Sequence, residues 1–175
     1  ENVQPLIVEN GCALCFPLDR DLRFKAGTHQ EIDGHAVMTF APGYAQIRRF
    51  IERQRSDNQV SLRGFGDMSV KEVAKQTGLD ERAAARAKQR LCSEPFVWLG
   101  TDRELARFRS AAEDEGLWIT RGGRFRHLTG RTDKARAVAA MQRLLAGGGR
   151  VPVTTVALGD SENDREMLEA ADLAV

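Results

Sequence analysis

The sequence predicts an α/β protein in which pieces of an α/β core flank an α+β insertion spanning about residues 36–126. Three observations predict it. Strand and helix signals alternate along the chain. The middle stretch carries its own hairpin and its own capped helices, as an α+β module does. Val151 to Leu158 is apolar without polar/apolar alternation, which suits a parallel strand covered on both faces.

The elements follow in order. Leu6-Ile7-Val8, the turn Asn10-Gly11 and Cys12 to Phe16 read as strand, turn and strand. Residues 17–34, with Pro17, Asp19, Asp21, Gly27 and Gly34, read as irregular connection. A strand from His35 to Phe40 opens the insertion. A helix near Tyr44 to Arg55 follows, with Ile47, Phe50 and Ile51 on one face. Gln59 to Phe65 is the next strand. Ser69-x-x-Glu72 is a capping box for a short helix that stops at Gly78, and Asp80 caps an Ala- and Arg-rich helix. Phe96 to Leu99 is a strand, and Thr101-x-x-Glu104 opens a helix closed by Gly116. Leu117 to Thr120 and Arg124 to Leu128 form a hairpin about Gly122-Gly123. A helix from about Asp133 to Ala146, the strand Val153 to Leu158, a helix around Glu162 to Ala170 and a strand from Asp172 complete the chain.

Composition bounds the function. With 42% hydrophobic and 29% charged residues, 175 residues can bury a real core. Lys and Arg (26) nearly balance Asp and Glu (25), interspersed rather than in blocks, so neither nucleic acid nor an anionic membrane is the expected partner. A small molecule is. The apolar runs are far shorter than the roughly 20 residues of a membrane span, and residues 1–11 lack a signal peptide's order, so a cytoplasmic location is expected.

Three cysteines, Cys12, Cys15 and Cys92, form no disulfide framework and fit a reducing compartment. Cys12-x-x-Cys15 lacks a second ligand pair for zinc and lies in a strand-like run rather than opening a helix. The cysteines therefore read as structural.

Chemistry concentrates near the end. Leu158-Gly159-Asp160-Ser161-Glu162-Asn163-Asp164 follows the apolar strand, where parallel sheets place their ligand sites. Asp160, Asp164 and Asn163 supply hard oxygen ligands suited to magnesium, and Gly159 permits close approach. The same residues also fit a plain role, with Ser161 or Asp160 capping the helix and Asp164 complementing its dipole. Lys134 begins the preceding helix, where a cation is locally unfavourable and calls for an anionic partner, a phosphate or a carboxylate cluster. Otherwise it is a solvated surface lysine.

Lys134, an apolar strand and Gly-Asp-Ser-Glu-Asn-Asp together resemble the third and fourth motifs of the haloacid dehalogenase superfamily, in the branch with an α+β cap inserted before the lysine. Pro5-Leu6-Ile7-Val8-Glu9-Asn10-Gly11, Arg63-Gly64-Phe65-Gly66-Asp67-Met68, Arg90-x-x-Ser93-Glu94-Pro95-Phe96 and Gly122-Gly123-Arg124-Phe125-x-His127 are similar to mannosyl-3-phosphoglycerate phosphatases in particular. The resemblance spans nearly the whole chain. It implies a Rossmann-like parallel-sheet core, here incomplete, made of residues 1–35 and 127–175, with residues 36–126 as the cap.

Members of the superfamily begin with a strand running into Asp-x-Asp-Gly-Thr, and this sequence starts after the expected place of that motif and of the second-motif Ser or Thr. Asp19-Arg20-Asp21 has the spacing but not the Gly-Thr turn, and reads as a loop coincidence. The resemblance thus implies that the nucleophile-bearing segment is missing, that Asp172 to Val175 is a core strand cut short by the chain's end, and that the chain by itself is inactive. It further implies magnesium-dependent hydrolysis of mannosyl-3-phosphoglycerate through an aspartyl phosphate. Asp160 and Asp164 would hold the metal, Asn163 would orient its shell, and Lys134 would offset phosphate charge. Arg90, Arg124 and His127 would meet a glycerate carboxylate, while Asp67 and Glu94 would accept from sugar hydroxyls. Cross-strand pairing for Arg124 and His127 and a turn role for Asp67 stand beside those roles. Another sugar phosphate as substrate, or binding without turnover, are the rival readings.

Overall fold

The computed structural model describes residues 4–18, 29–58, 60–132, 134–146, 153–160 and 164–175. They form a mixed α/β protein of two compact units, Glu1–Ala41 with Thr132–Val175, and Pro42–Arg131. The dividing points are Pro42 and Arg131, rather than 36 and 126.

In the first unit, β1 (Leu6–Val8), β2 (Ala13–Pro17), β3 (Gln30–Ile32) and β4 (His35–Thr39) make an antiparallel sheet in the order β1-β2-β4-β3. The strand expected to open the insertion is β4, and it pairs along its length with β2, so it belongs to this unit. The strand β3 lies in the stretch expected to be irregular. Two of its three residues are polar and all three are exposed, so no apolar alternation betrays it. The signal was the turn: Ile32 pairs with His35 across Asp33-Gly34, both at positive φ (47° and 75°), as a two-residue Asp-Gly hairpin loop requires. The Asp19-Arg20-Asp21 spacing lies outside the described residues.

Helix α5 (Lys134–Leu145) covers this sheet, with Ala140, Met141 and Leu144 packed on Leu14, Phe16 and Ala36. Beyond it, β9 (Val156–Ala157) and β10 (Leu173–Ala174) pair in parallel, the one parallel pair among the described strands. The strand expected to be covered on both faces is not: Val156 is 56% and Leu158 68% exposed, and β9 has a single strand neighbour among the described residues. Residues 151 and 152 lie outside that description. The Thr155 N–H and hydroxyl both donate to Asp172 Oδ2 at 2.8 Å, and Gln142 on α5 donates to Thr155 Oγ1 at 3.2 Å, tying helix and strand pair together.

The second unit is an antiparallel sheet, β5-β6-β8-β7, of β5 (Leu62–Gly64), β6 (Ser93–Trp98), β7 (Leu117–Gly122) and β8 (Phe125–Gly130). Side chains alternate across a strand. Phe96 and Leu128 meet Ile47, Phe50 and Ile51 of α1 (Tyr44–Asn58) and Phe108 and Ala112 of α4 (Asp102–Asp114) on one face. The expected apolar stripe of α1 is this seam, and Phe108 stands edge-on to Phe96 at 6.1 Å. On the other face Val97 and Phe125 pack with Phe65, Met68, Val73 of α2 (Val70–Thr77) and Ala84 of α3 (Glu81–Ala87). Pro95 falls inside β6, where it pairs with His127 of β8, but the ladder to β5 begins at Phe96. Proline thus sits in the stretch with one strand neighbour.

The capping boxes form as their spacing predicts. Ser69 Oγ accepts from the Glu72 N–H and Glu72 accepts from the Ser69 N–H at 2.8 Å, which, with Arg63, holds the Glu72 carboxyl at about 2. Gly78, at φ 81°, closes α2. Ser69→Ala is expected to lower stability by about 1 kcal/mol, read as a shift of the urea midpoint at unchanged slope.

Candidate active site

The first unit holds the residues expected to carry phosphate and metal chemistry. Lys134 is the first residue of α5, and its ammonium forms an ion pair with Asp164 Oδ1, across thirty positions of chain. This is the anionic partner that a lysine at a helix start calls for. Asp164 stands at the start of α6 (Arg165–Glu169) but makes no side-chain cap hydrogen bond there. Its carboxylate, in a residue only 7% exposed, is spent on Lys134 rather than on capping.

Gly159 explains how Asp164 reaches that place. A Cβ on Gly159 would lie 2.5 Å from Asp164 Cβ and 2.9 Å from its Cγ, so only glycine admits the aspartate against the strand end. The Gly159 N–H donates to Val175 O at 3.3 Å and extends the β9/β10 pairing up to the site. Asp160 is exposed, next to that glycine. The anionic partner that Lys134 meets is thus Asp164. Asn163 lies outside the described residues, as do Ser161 and Glu162. Asp160 and Asp164 are oxygen donors of the kind a hard divalent cation takes, and the Asp164 carboxylate is held at the end of β9 by Lys134.

Of the expected substrate residues of the second unit, Glu94 and His127 lie in neighbouring strands with opposite faces, and Asp67, Arg90 and Arg124 lie in the segments that join the elements. Glu94 is fully buried on the face that α1 and α4 cover; its Oε1 accepts from the Gly66 N–H at 2.8 Å and from Arg48 at 3.4 Å, and it is hydrogen-bonded to Tyr44. Asp67 accepts from Arg48 at 2.6 Å, from Arg55 at 2.5 Å and from the Gly64 N–H at 2.8 Å. Burial opposes its ionisation, but the hydrogen bonds from Arg55, Arg48 and Gly64 outweigh it and hold the carboxyl well below the usual range. Burial and the bond to Glu94 push the Tyr44 hydroxyl up. The two acids expected to accept from a sugar are thus committed to α1 and to the Gly64–Asp67 turn, a role that competes with sugar binding.

The turn's glycines are needed for this. A Cβ on Gly64 would fall 2.0 Å from Glu94 Oε1, and one on Gly66 2.7 Å from both Arg48 Nη1 and Tyr44 Oη. Tyr44, Arg48 and Arg55 were not singled out in the sequence. The available signal was their spacing, 44, 48 and 55, a polar stripe along the helix that carries Ile47 and Ile51.

His127 points to the other face, in register with Thr120, its ring against the backbone of Gly122. Arg90 donates to the carbonyl and the hydroxyl of Ser93. Arg124 is exposed in the β7–β8 turn and donates to Gln76 O at 3.2 Å, near the end of α2. Among the described residues no helix is long and apolar enough to cross a membrane.

No protein-family model matches the chain. Its sequence is 38% identical over 175 residues, 98% of its length, to a glucosyl-3-phosphoglycerate/mannosyl-3-phosphoglycerate phosphatase of Persephonella marina. It is 37% identical over 169 residues to a phosphatase of the same name from Methanococcoides burtonii. The chain spans 62% and 61% of the lengths of those relatives. In fold it is similar to the crystal structure of Thermoplasma acidophilum 0175, at a TM-score of 0.54 and 19% identity, over 98% of this chain and 65% of that one. Over about three-fifths of their length, the chain is thus similar in sequence to the glucosyl-3-phosphoglycerate/mannosyl-3-phosphoglycerate phosphatases of these two organisms.

Proposed function

We propose that the protein carrying this chain is a phosphoric monoester hydrolase that releases phosphate from mannosyl-3-phosphoglycerate and its glucosyl counterpart. The observation that carries the reading is the Lys134–Asp164 pair seated on Gly159 at the end of β9. The names of its relatives agree with it.

Phosphoryl transfer asks mainly for positioning and for neutralisation of charge. Lys134 supplies a fixed cation for a phosphate oxygen, and Asp164 holds that ammonium in place. Asp160 and Asp164 would hold magnesium, with Asn163 orienting its surroundings; when bound, the metal would neutralise charge on the phosphoryl group. An aspartyl phosphate, hydrolysed by water, is the expected intermediate; no residue of this chain is assigned as its nucleophile. A small-molecule substrate and a cytoplasmic setting complete the proposal, with neither nucleic acid nor membrane as partner.

Selectivity is assigned to the second unit, since groups that bind phosphate do not distinguish what the phosphate is attached to. Arg124, exposed and using one N–H on Gln76, and His127 and Arg90 are the proposed readers of the glycerate carboxylate. A phosphate-release panel on the full-length enzyme tests the reading. Magnesium-dependent release from the two glycosyl-3-phosphoglycerates, abolished by EDTA, is expected. Release from hexose phosphates alone would overturn the substrate. Arg124→Ala is expected to lower kcat/KM for mannosyl-3-phosphoglycerate about ten- to a hundredfold, with little change for a small aryl phosphate. Equal losses on both would remove Arg124 from carboxylate recognition.

A further inference from the structure

Near-equal numbers of cations and anions over the whole chain hide an imbalance between its units. The second unit has eighteen Lys and Arg against twelve Asp and Glu, and the first has eight against thirteen. Within the second unit the excess is not spread evenly. On the side of α1 and α4, cations are met by acids: Arg53 pairs with Glu115 at 2.6 Å, and α4 carries four acids beside its three arginines.

The side built by α2 and α3 differs. Val73 and Ala84 turn one face of each helix into the core, and Lys71, Lys75, Arg82 and Arg86 stand exposed on the helices. Lys71 and Lys75 are four positions apart, as are Arg82 and Arg86, a spacing at which like charges repel and destabilise a helix. Arg124, also exposed, joins them through its hydrogen bond to Gln76 O, next to Lys75. Acids do little to offset them. Glu72 is engaged by Arg63 and by the Ser69 N–H, and Asp80 accepts from the Ala83 N–H as the cap of α3, which leaves Glu81. None of the five cations forms an ion pair among the described residues. A positive surface kept at a local cost and left without internal counter-charge raises the concentration of anions near it.

We propose that the outer surface of α2 and α3, continued by Arg124, gathers the anionic substrate to the second unit, acting over distance rather than by contact with the reacting group. What it gathers rests on the phosphatase reading: a glycosyl-3-phosphoglycerate carries a carboxylate as well as a phosphate, so it is drawn more strongly than a small aryl phosphate. The test neutralises the four helix cations in the full-length protein, as Lys71→Gln/Lys75→Gln/Arg82→Gln/Arg86→Gln, with thermal melting as the measure of folding. At about 20 mM NaCl, KM for mannosyl-3-phosphoglycerate is expected to rise about tenfold with kcat unchanged, and KM for the aryl phosphate to rise less. At about 0.5 M NaCl, where the screening length is about 4 Å, the variant and the wild type should converge. Binding of 3-phosphoglycerate, titrated by phosphorus NMR at the same two salt concentrations, reads the same effect without turnover. A folded variant with wild-type KM, wild-type affinity for 3-phosphoglycerate and wild-type salt dependence would overturn the proposal. So would a fall in kcat at unchanged KM, which places the cations in the chemistry or the packing. Salt-sensitive binding of single-stranded RNA that the variant loses, with KM unmoved, would overturn it in favour of a nucleic-acid surface. Weakened 3-phosphoglycerate binding by the variant, with no phosphate release by the wild type, would keep the surface and sink the phosphatase reading instead.

Discussion

Replacing Lys134 by alanine in the full-length enzyme is expected to lower kcat/KM for mannosyl-3-phosphoglycerate by about 100- to 1,000-fold, the cost of losing one fixed electrostatic group at a transferring phosphoryl centre. The loss has two sources. The ammonium no longer meets phosphate, and Asp164, in a residue only 7% exposed, no longer has the cation paired with its Oδ1. Lys134→Arg separates them: a guanidinium keeps the charge but not the compact point geometry, so partial activity is expected. The effect should appear equally on a small aryl phosphate, because Lys134 serves the phosphate and not the glycerate. Unchanged activity in a folded Lys134→Ala protein would return the lysine to the surface and the Gly159–Asp164 segment to a plain helix start. Gly159→Ala is the companion test. Its Cβ would displace Asp164 while leaving the Lys134 side chain in the sequence, and it should reproduce much of the same loss.

What could be read from the sequence was what depends on near neighbours. The capping boxes at Ser69 and Thr101, the stripe of Ile47, Phe50 and Ile51, and the demand of Lys134 for an anion are all local patterns, and each formed. That this anion is Asp164, thirty positions on, was not local: it depends on the fold that brings the start of α5 to the start of α6, which no periodicity encodes. The strand β3 escaped because a polar edge strand shows no alternation, although its Asp-Gly turn could have announced it. Glu94 was assigned to sugar hydroxyls through the resemblance carried by Arg90-x-x-Ser93-Glu94-Pro95-Phe96, which says nothing of what covers it. Its burial beneath α1 arises from pairing with Arg48, 46 positions away, which only the folded sheet brings together.

That pairing carries the second large effect. Arg48→Ala is expected to destabilise the protein by about 3–5 kcal/mol, the cost of breaking a buried ion pair from one side. Glu94 is fully buried, its Oε2 has no hydrogen-bond partner among the described residues, and removing Arg48 takes the guanidinium from its Oε1. Replacing both members by apolar residues should cost much less than Arg48→Ala, because no uncompensated charge remains. Urea unfolding of Arg48→Ala, Glu94→Leu and Arg48→Met/Glu94→Leu at neutral pH measures the coupling. A loss below about 1 kcal/mol for Arg48→Ala would mean that the carboxylate finds another donor. The acid limb supplies an independent sign. The carboxyl of Asp67 is held low by Arg55, Arg48 and Gly64, so the unfolded chain binds its proton first. Its contribution is therefore complete above the unfolded value of about 3.9 and is lost as pH falls from there through the folded value. With Arg48 gone, the folded carboxyl of Asp67 moves back toward the unfolded one, and the decline of stability below about pH 4 should become shallower than in the wild type.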